Sequence, residues 1–162
     1  MFIYRNQTCD VGWNSAYSYR FRVSNGVCQG AISSPLLFSI YIDELIVLLR
    51  RSGLSCRLDK LYYGVLGYAD DLLLLSASRS GLQAMVTVGE KFARERRQQF
   101  STHSVPAKSK TRCIIFSKVK SCLVNVAPIV LNGDPLPWVD KVKHLGNILE
   151  QNNSMRRDCV VK

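Results

Sequence analysis

The chain has 162 residues, of which 47% are hydrophobic and 21% charged. A domain of this length can bury roughly 70% of its unfolded surface, which argues against a disordered chain. Lys and Arg (22) outnumber Asp and Glu (12), and the resulting net charge of +10 at pH 7 favours a polyanionic partner such as nucleic acid or a membrane surface.

The positive charge is concentrated between Lys91 and Lys120, where nine basic residues and one acid, Glu95, contribute +8 of the +10. The nine residues are Lys91, Arg94, Arg96, Arg97, Lys108, Lys110, Arg112, Lys118 and Lys120. A solvated helix face would have the same composition, so the run does not by itself identify a nucleic-acid site.

The six cysteines include no C-x-x-C pair and no His at zinc-ligand spacing, so neither a zinc module nor a thioredoxin-like site is predicted. The N-terminal stretch MFIYRNQTCD lacks the apolar region of a signal peptide. The longest apolar stretch, Leu36–Leu49, contains two acids and is shorter than the roughly 20 residues of a bilayer span. We therefore expect an intracellular chain, nuclear or cytoplasmic, with reduced thiols and no membrane partner.

The first predicted element is a helix from about Pro35 to Arg51. Ser34 supplies an N-cap hydroxyl, and proline is favoured at the first helical position. Basic residues in the last turn and Gly53 after it are typical of a helix end.

The loop before this helix, SNGVCQGAISSP, contains Gly26 and Gly30, and glycine lets the backbone approach a ligand closely. Gln29 offers a donor and an acceptor to a base or sugar edge. A tight turn before a buried helix explains the same stretch equally well.

The next predicted element is a hairpin with strands at Tyr62–Gly67 and Leu72–Ala77 and with Tyr68–Asp71 at its tip. Its tip keeps the adjacent carboxylates of Asp70 and Asp71 out of the leucine-rich core, where an unpaired charge costs on the order of several kcal/mol. Paired carboxylates are suitable ligands for Mg²⁺. Four residues alone fit an acidic surface turn better than a metal site.

A capping box at Ser80–Gln83 begins a second helix that is predicted to run to about Gln99, with Lys91, Arg94 and Arg97 on its polar face. Further strands are predicted at Arg112–Lys118, Pro128–Leu131 and Val142–Leu149, with a turn at Asn132–Pro135. This order of elements predicts an α+β domain with an antiparallel sheet covered by helices on one face.

Together, these stretches resemble the reverse transcriptases of non-LTR (LINE-like) retrotransposons. FRVSNGVCQGAISSPLLFSIYIDEL resembles motif B of that family, LGYADDLLLLS motif C, KSKTRCIIFS motif D and VKHLGNILE the primer-grip motif E. The resemblance extends from about Phe21 to Glu150. It implies a polymerase palm-like sheet, incomplete at its N-terminal side, with a partial palm in residues 1–122 and the motif E hairpin and start of the thumb connection in residues 123–162.

The resemblance implies an RNA-directed DNA polymerase that uses Mg²⁺, with Mn²⁺ as a possible substitute. Asp70 would be a ligand of the catalytic metals, and Asp71 would support the same metal site. Lys110 matches a motif D lysine that would protonate the pyrophosphate leaving group. The neighbouring Lys108 is a rival for that position, and either lysine fits a plain phosphate contact.

The residues that the resemblance assigns to nucleotide and template binding are Gly26, Gln29, Gly30, Ser34, Pro35, Tyr68 and Ala69. His144, Leu145 and Gly146 match the turn of the primer grip, and a structural hairpin is compatible with that role. The implied partners of the parent enzyme are an RNA template, a DNA primer and deoxynucleoside triphosphates.

Family members carry a motif A strand whose aspartate completes the metal site. Residues 1–20 contain a single acid, Asp10, which we expect to be a loop residue. We therefore expect a palm fragment that lacks the fingers, motif A and thumb of the parent polyprotein and has weak or no polymerase activity. A non-catalytic nucleic-acid-binding module and a remnant without function are the alternatives.

Overall fold

The computed structural model describes residues 7–23, 26, 30–54, 56–59, 61–103, 105, 108–117, 126–151 and 158–161. Two units make up the chain, Met1–Tyr41 and Ile42–Lys162. In the described ranges, no helix combines the length and hydrophobicity needed to cross a membrane. The predicted site residue Gln29 lies outside the described residues.

A β-ribbon of four short strands lies in the described part of the first unit. Its strands are β1 (Thr8–Cys9), β2 (Gly12–Trp13), β3 (Ala16–Tyr17) and β4 (Phe21–Arg22). Trp13 pairs with Ala16, whereas Cys9 pairs with Phe21, so the register shifts by one residue between the two pairs. Asp10 lies between β1 and β2, and its carboxylate is 3.6 Å from the Arg20 guanidinium. The expectation that Asp10 is a loop residue is confirmed.

The first helix, α1 (Ser34–Arg51), begins one residue before the predicted start and ends where the sequence predicts. Arg50 and Arg51 lie in its last turn, where cations interact favourably with the helix dipole. Leu45 and Leu49, four residues apart, are buried in the second unit.

The second unit contains the remaining described elements. They are β5 (Arg57–Leu58), β6 (Leu61–Tyr62), β7 (Val65–Tyr68), β8 (Asp71–Ser76), α2 (Arg79–Glu95), β9 (Cys113–Phe116), β10 (Ile129–Leu131), β11 (Asp134–Leu136), β12 (Lys141–His144), β13 (Asn147–Glu150) and β14 (Asp158–Val161). Four of these strands form an antiparallel sheet in the order β7-β8-β14-β9. The sequence analysis did not predict β14, which separates β8 from β9.

The predicted hairpin is confirmed, with two corrections. Its first strand is interrupted after Tyr62 and resumes at Val65. Tyr68 and Asp71 pair across the strands, so the tip is the two-residue turn Ala69–Asp70 and not the predicted four-residue loop. A two-residue connection is the commonest way to join antiparallel strands because its twist matches theirs.

The predicted capping box of α2 is wrong, because the N-cap is Ser78. The Ser78 hydroxyl accepts a 3.0 Å hydrogen bond from the Gly81 backbone N–H. In a capping box, the Gln83 side chain would accept a hydrogen bond from the Ser80 backbone N–H. Instead, the Gln83 side chain makes two 2.9 Å hydrogen bonds with the backbone of Val130 in β10. These bonds tie α2 to β10.

The core of the second unit lies between α2 and the strands. The buried residues of α2 recur at helical spacing and are Leu82, Met85, Val86, Gly89, Phe92 and Ala93. A second cluster of Leu73, Ile114 and Val142 joins β8, β9 and β12. Strands and a helix therefore share apolar faces, as expected for the predicted α+β class.

Two further hairpins differ from the predicted strands. The turn between β10 and β11 consists of Asn132 and Gly133 alone, because the predicted turn residues Asp134 and Pro135 belong to β11. The segment predicted as one strand, Val142–Leu149, forms the hairpin β12–β13 around Leu145 and Gly146.

Substitution of the N-cap tests its assignment. Ser78→Ala removes the acceptor for the Gly81 N–H and is expected to lower the free energy of unfolding by about 1 kcal/mol in chemical denaturation. Ser80→Ala is the matched control, because it removes a hydroxyl that does not accept a hydrogen bond from the Gly81 N–H. Among the described residues, the Ser80 hydroxyl contacts the Ser78 hydroxyl at 3.3 Å. Equal losses in the two variants would contradict the assignment.

Candidate active site

A cavity of about 610 Å³ in the second unit brings together the predicted catalytic residues Asp70, Asp71 and Lys110. Its charged lining consists of Asp70, Asp71, Lys108, Lys110, Arg112 and Lys143. The apolar part of its wall includes Leu45 and Leu49 from α1 and Leu72 and Leu74 from β8. Two carboxylates and four cations therefore line the same cavity, and another part of its wall is hydrophobic. We call this space the catalytic cavity, after the predicted catalytic residues that line it.

The β7–β8 hairpin positions the two carboxylates. Leu73 and Leu74 anchor β8 in the core, and the last strand pair, Tyr68 with Asp71, ends the hairpin at the cavity. Asp70 is exposed and Asp71 is half-buried. The position of the carboxylates at the end of a rigid strand pair leaves Asp70 accessible to a ligand without the desolvation cost of a buried charge.

Ala69 reaches this position through an unusual backbone conformation. Its φ is +50°, in the left-handed region that glycine adopts most easily. The side chain is exposed, so packing does not explain the presence of a residue with a Cβ atom. Residues held in this region often mark functional sites.

The two candidate motif D lysines, Lys108 and Lys110, both line the catalytic cavity. Ser109 between them is buried, and its hydroxyl donates a 2.9 Å hydrogen bond to the Thr111 carbonyl. Burial of Ser109 leaves the exposed lysines on either side of it directed outward. Sequence reasoning did not identify this anchoring serine, because a lone serine between two lysines carries no local signal.

Sequence reasoning also missed Arg112 and Lys143 as cavity residues. The Arg112 Nε donates to the Ser109 carbonyl at 3.4 Å, which attaches its side chain to the same segment. Lys143 is an exposed strand residue next to the buried Val142. The alternation of buried and exposed residues was visible in the sequence, but the pairing that brings β12 to the cavity was not.

The donor set agrees with a Mg²⁺ site. Asp70 and Asp71 provide hard oxygen ligands, and Mg²⁺ is often held by one or two carboxylates together with water and substrate phosphates. Within the segments that the structure describes, no group of three or more His, Cys, Asp and Glu side chains is arranged to hold a metal. Water and substrate phosphate oxygens are the other ligands that Mg²⁺ commonly takes beside carboxylates.

The predicted primer-grip residues lie at the end of the β12–β13 hairpin. Leu145 and Gly146 form its turn, with φ values of +49° and +83°, so both adopt the conformation of a type I′ turn. Leu145 is exposed, and the buried Nδ1 of His144 has no hydrogen-bond partner among the described residues. Near the open end of the hairpin, Lys141 lies 2.7 Å from Glu150, and this hydrogen bond raises the pKa of Lys141 above its usual value.

The described motif B residues belong to the first unit, whereas the catalytic cavity belongs to the second. Gly26 and Gly30 have φ values of +98° and +81°, and a Cβ atom on either would meet no atom within 4 Å. Backbone conformation, and not close approach of another group within the chain, explains these glycines. Ser34 is buried at the start of α1, and Pro35 is exposed.

Comparison with known proteins identifies a family and a relative. Residues 3–149 match the family described as reverse transcriptase (RNA-dependent DNA polymerase). The chain is also similar to the retrovirus-related Pol polyprotein from type-1 retrotransposable element R2 of Nasonia vitripennis, with 35% identity over 88 residues. The matched region covers 54% of this chain and 8% of the polyprotein. No solved structure matches the chain.

The primer-grip turn provides a test of backbone strain at the site. Asparagine tolerates the left-handed conformation better than leucine does, and it is favoured in type I′ turns. Leu145→Asn is therefore expected to raise the free energy of unfolding by about 0.5–1 kcal/mol in chemical denaturation. The control Ile148→Asn changes an exposed strand residue of the same hairpin and should lower stability. A loss in both variants would contradict strain at Leu145.

Proposed function

Because the chain belongs to the reverse transcriptase family, we propose that it supplies catalytic carboxylates for RNA-directed DNA polymerisation by a non-LTR retrotransposon polyprotein. The catalytic cavity carries this proposal, because it combines Asp70 and Asp71 with four cations on one surface. Carboxylates for a metal next to cations for phosphates are the elements that phosphoryl transfer requires. The proposed partners are an RNA template, a DNA primer and deoxynucleoside triphosphates.

In the proposed reaction, the primer 3′-hydroxyl attacks the α-phosphate of the nucleotide. A bond forms between the 3′-oxygen and phosphorus, the bond to the bridging oxygen breaks, pyrophosphate leaves, and the proton of the 3′-hydroxyl passes to water. When bound at Asp70 and Asp71, Mg²⁺ would neutralise charge on the phosphate oxygens and lower the pKa of the attacking hydroxyl. Lys110 or Lys108 would give a proton to the pyrophosphate or neutralise its charge.

The two remaining cations would hold the triphosphate. Arg112 directly precedes β9 and Lys143 belongs to β12, and both line the same cavity. A guanidinium can bind two phosphate oxygens at once, whereas an ammonium acts as a point charge. We propose that Arg112 orients the triphosphate and that Lys143 lowers the repulsion between its phosphates.

We further propose a palm-like role for the β7-β8-β14-β9 sheet and for α2, which contacts β8. Tyr68 and Ala69 would contact the primer terminus and the nucleotide, because they precede Asp70 directly at the hairpin tip. Contacts to nucleotide and template are proposed for the motif B residues Gly26, Gln29, Gly30, Ser34 and Pro35. A primer grip is proposed for His144, Leu145 and Gly146.

Residues 1–162 are proposed to have weak or no polymerase activity by themselves. The acid nearest to motif B on its N-terminal side is Asp10, which is ion-paired with Arg20 outside the strands of the β-ribbon. It therefore has neither the strand context nor the free carboxylate that a motif A ligand needs. Without the motif A aspartate, the site would lack one of the carboxylates that hold the metal ions in the parent enzyme.

Binding of Mn²⁺ tests the metal site without requiring activity. Asp70→Asn replaces an ionised ligand with a neutral amide and is expected to weaken Mn²⁺ binding roughly tenfold, measured by water proton relaxation. Asp43→Asn is the matched control, because it removes an exposed carboxylate on α1 that does not line the catalytic cavity. Equal affinities of the Asp70→Asn variant and the parent chain would reject Asp70 as a ligand.

Primer extension on an RNA template with Mg²⁺ or Mn²⁺ tests the reaction. We expect weak or no extension by the chain, and none by its Asp70→Asn variant. Robust extension that disappears in Asp70→Asn but persists in Asp43→Asn would support the metal site and overturn the proposed incompleteness. Salt-sensitive nucleic-acid binding that is independent of Mg²⁺ and unchanged in Asp70→Asn would favour the non-catalytic alternative.

A further inference from the structure

Four aromatic side chains of the β-ribbon face solvent. Trp13 and Tyr17 are each 77% exposed, Tyr19 is 98% exposed, and Phe21 is also exposed. The two turn residues between β2 and β3 have φ values of +44° and +65°, typical of a type I′ turn, so the rings are held on a defined strand pair. Large apolar side chains that cluster on the surface of one element often mark a binding site.

The strand register separates Tyr17 from Trp13. Gly12 pairs with Tyr17 and Trp13 pairs with Ala16, so the two rings project to opposite faces of the ribbon. Three ring carbons of Tyr17 lie 3.1, 3.4 and 3.8 Å from the point that a Cβ atom on Gly12 would occupy. The Tyr17 ring therefore covers the glycine on one side and is open to solvent on the other.

Tyr19 shares the face of Tyr17. The Ser18 N–H donates to the Val11 carbonyl at 2.9 Å, so the strand pairing continues beyond β3. Residues two apart on a strand project to the same face, which places the two tyrosines side by side. Two exposed rings are therefore available on one face of the ribbon.

The same face carries charged side chains. Asp10 lies two residues before Gly12 and therefore projects to the face that the Tyr17 ring covers. The Asp10 carboxylate is 3.6 Å from the Arg20 guanidinium. Arg22 faces the same way, because it pairs with a residue two positions before Asp10. We call this surface the tyrosine face, with the residues Asp10, Tyr17, Tyr19, Arg20 and Arg22.

Asp10 weakens the attraction of the tyrosine face for phosphates without cancelling it, because two cations outnumber one acid there. Both members of the Asp10–Arg20 ion pair are exposed, and an exposed ion pair contributes little to stability because water and salt screen it. A guanidinium has five N–H donors, so Arg20 can contact a phosphate as well as Asp10.

We propose that the tyrosine face binds single-stranded nucleic acid, with bases stacked on Tyr17 and Tyr19 and a phosphate in contact with Arg20. Every base has a π-face, and aromatic rings beside cations are typical of surfaces that bind single strands without sequence preference. An acidic peptide would satisfy the cations but would leave the rings without stacking partners. The rings therefore decide the class of ligand, and the choice of a polynucleotide also rests on the proposed function.

The opposite face of the ribbon provides a comparison within the same element. It exposes Trp13, Val11 and Phe21. Within residues 7–23, which the structure describes without a gap, that face carries no charged side chain. It offers a ring of equal exposure without a cation beside it, so we expect no stacking of a nucleic acid there.

The test compares two labelled oligonucleotides of equal length and charge, one of thymidines and one abasic. Binding to the whole chain is measured by fluorescence anisotropy without divalent cations. The abasic strand keeps the phosphates but offers no base for stacking, so it reports the contribution of all the cations of the chain. We expect the chain to bind the thymidine strand roughly tenfold more tightly than the abasic strand.

Tyr19→Leu provides the sharpest variant, because the side chain is 98% exposed and its removal should leave the melting temperature unchanged. The preference for the thymidine strand should fall roughly fivefold, and Tyr19→Phe, which keeps the ring, should retain it. Tyr17→Leu should reduce the preference as well. The slope of log affinity against log salt should stay the same, because stacking releases no counterions.

Trp13→Leu is the matched control, because it removes an equally exposed ring from the opposite face. A loss in Trp13→Leu as large as that in Tyr19→Leu would contradict the assignment to the tyrosine face. Equal binding of the two oligonucleotides by the parent chain, or full preference in both tyrosine variants, would overturn the proposal.

The same measurement with a uridine strand of RNA distinguishes RNA from DNA. Base-dependent binding of either strand that is lost in Tyr19→Leu supports the site. Failure of the proposed function has a different signature. In that case Asp70→Asn would leave Mn²⁺ binding unchanged, whatever the behaviour of the tyrosine face.

Discussion

The exclusion of ionised carboxylates from an apolar core is the constraint on which the organisation of the second unit depends. Asp70 and Asp71 precede a run of four leucines, of which Leu73 and Leu74 are buried. The strand pair can bury those leucines only if the two acids lie at its end, where water or a cation compensates their charge. The hairpin tip satisfies both demands, and the catalytic cavity forms where it meets the basic segments of the chain.

The cations of the catalytic cavity reach it by different routes. Lys108 and Lys110 flank the buried Ser109, whereas Lys143 follows the buried Val142 in β12. In each case a small or apolar anchor fixes the backbone, and the charged neighbour faces outward. Burial of the anchor thus places the neighbouring cation in the cavity that the two carboxylates line. Part of the positive charge of the chain is therefore located beside the carboxylates.

Backbone strain is located where the structure presents side chains to solvent. Ala69 and Leu145 have positive φ values, are exposed, and lie at the hairpin tip and in the β12–β13 turn. A glycine would fit each position with less strain. Ala69 directly precedes Asp70, so at the hairpin tip the strained residue lies beside a proposed metal ligand.

Local patterns in the sequence determined α1, the leucine-rich hairpin, the loop position of Asp10 and the motifs that identify the family, which the family match then confirmed. Periodicity, helix ends and turn residues act over a few neighbours and can be recognised within a short window. The N-cap at Ser78 was missed because Gln83 bonds to β10, a partner 47 residues away.

Only the tertiary structure decided that β14 lies between β8 and β9, and that Arg112 and Lys143 join the two aspartates. Strand order and shared cavities depend on pairing between distant segments, whose gain in apolar contact must exceed the entropy lost in closing long loops. These two free-energy terms involve residues far apart in the sequence, so a short window of sequence cannot predict their difference.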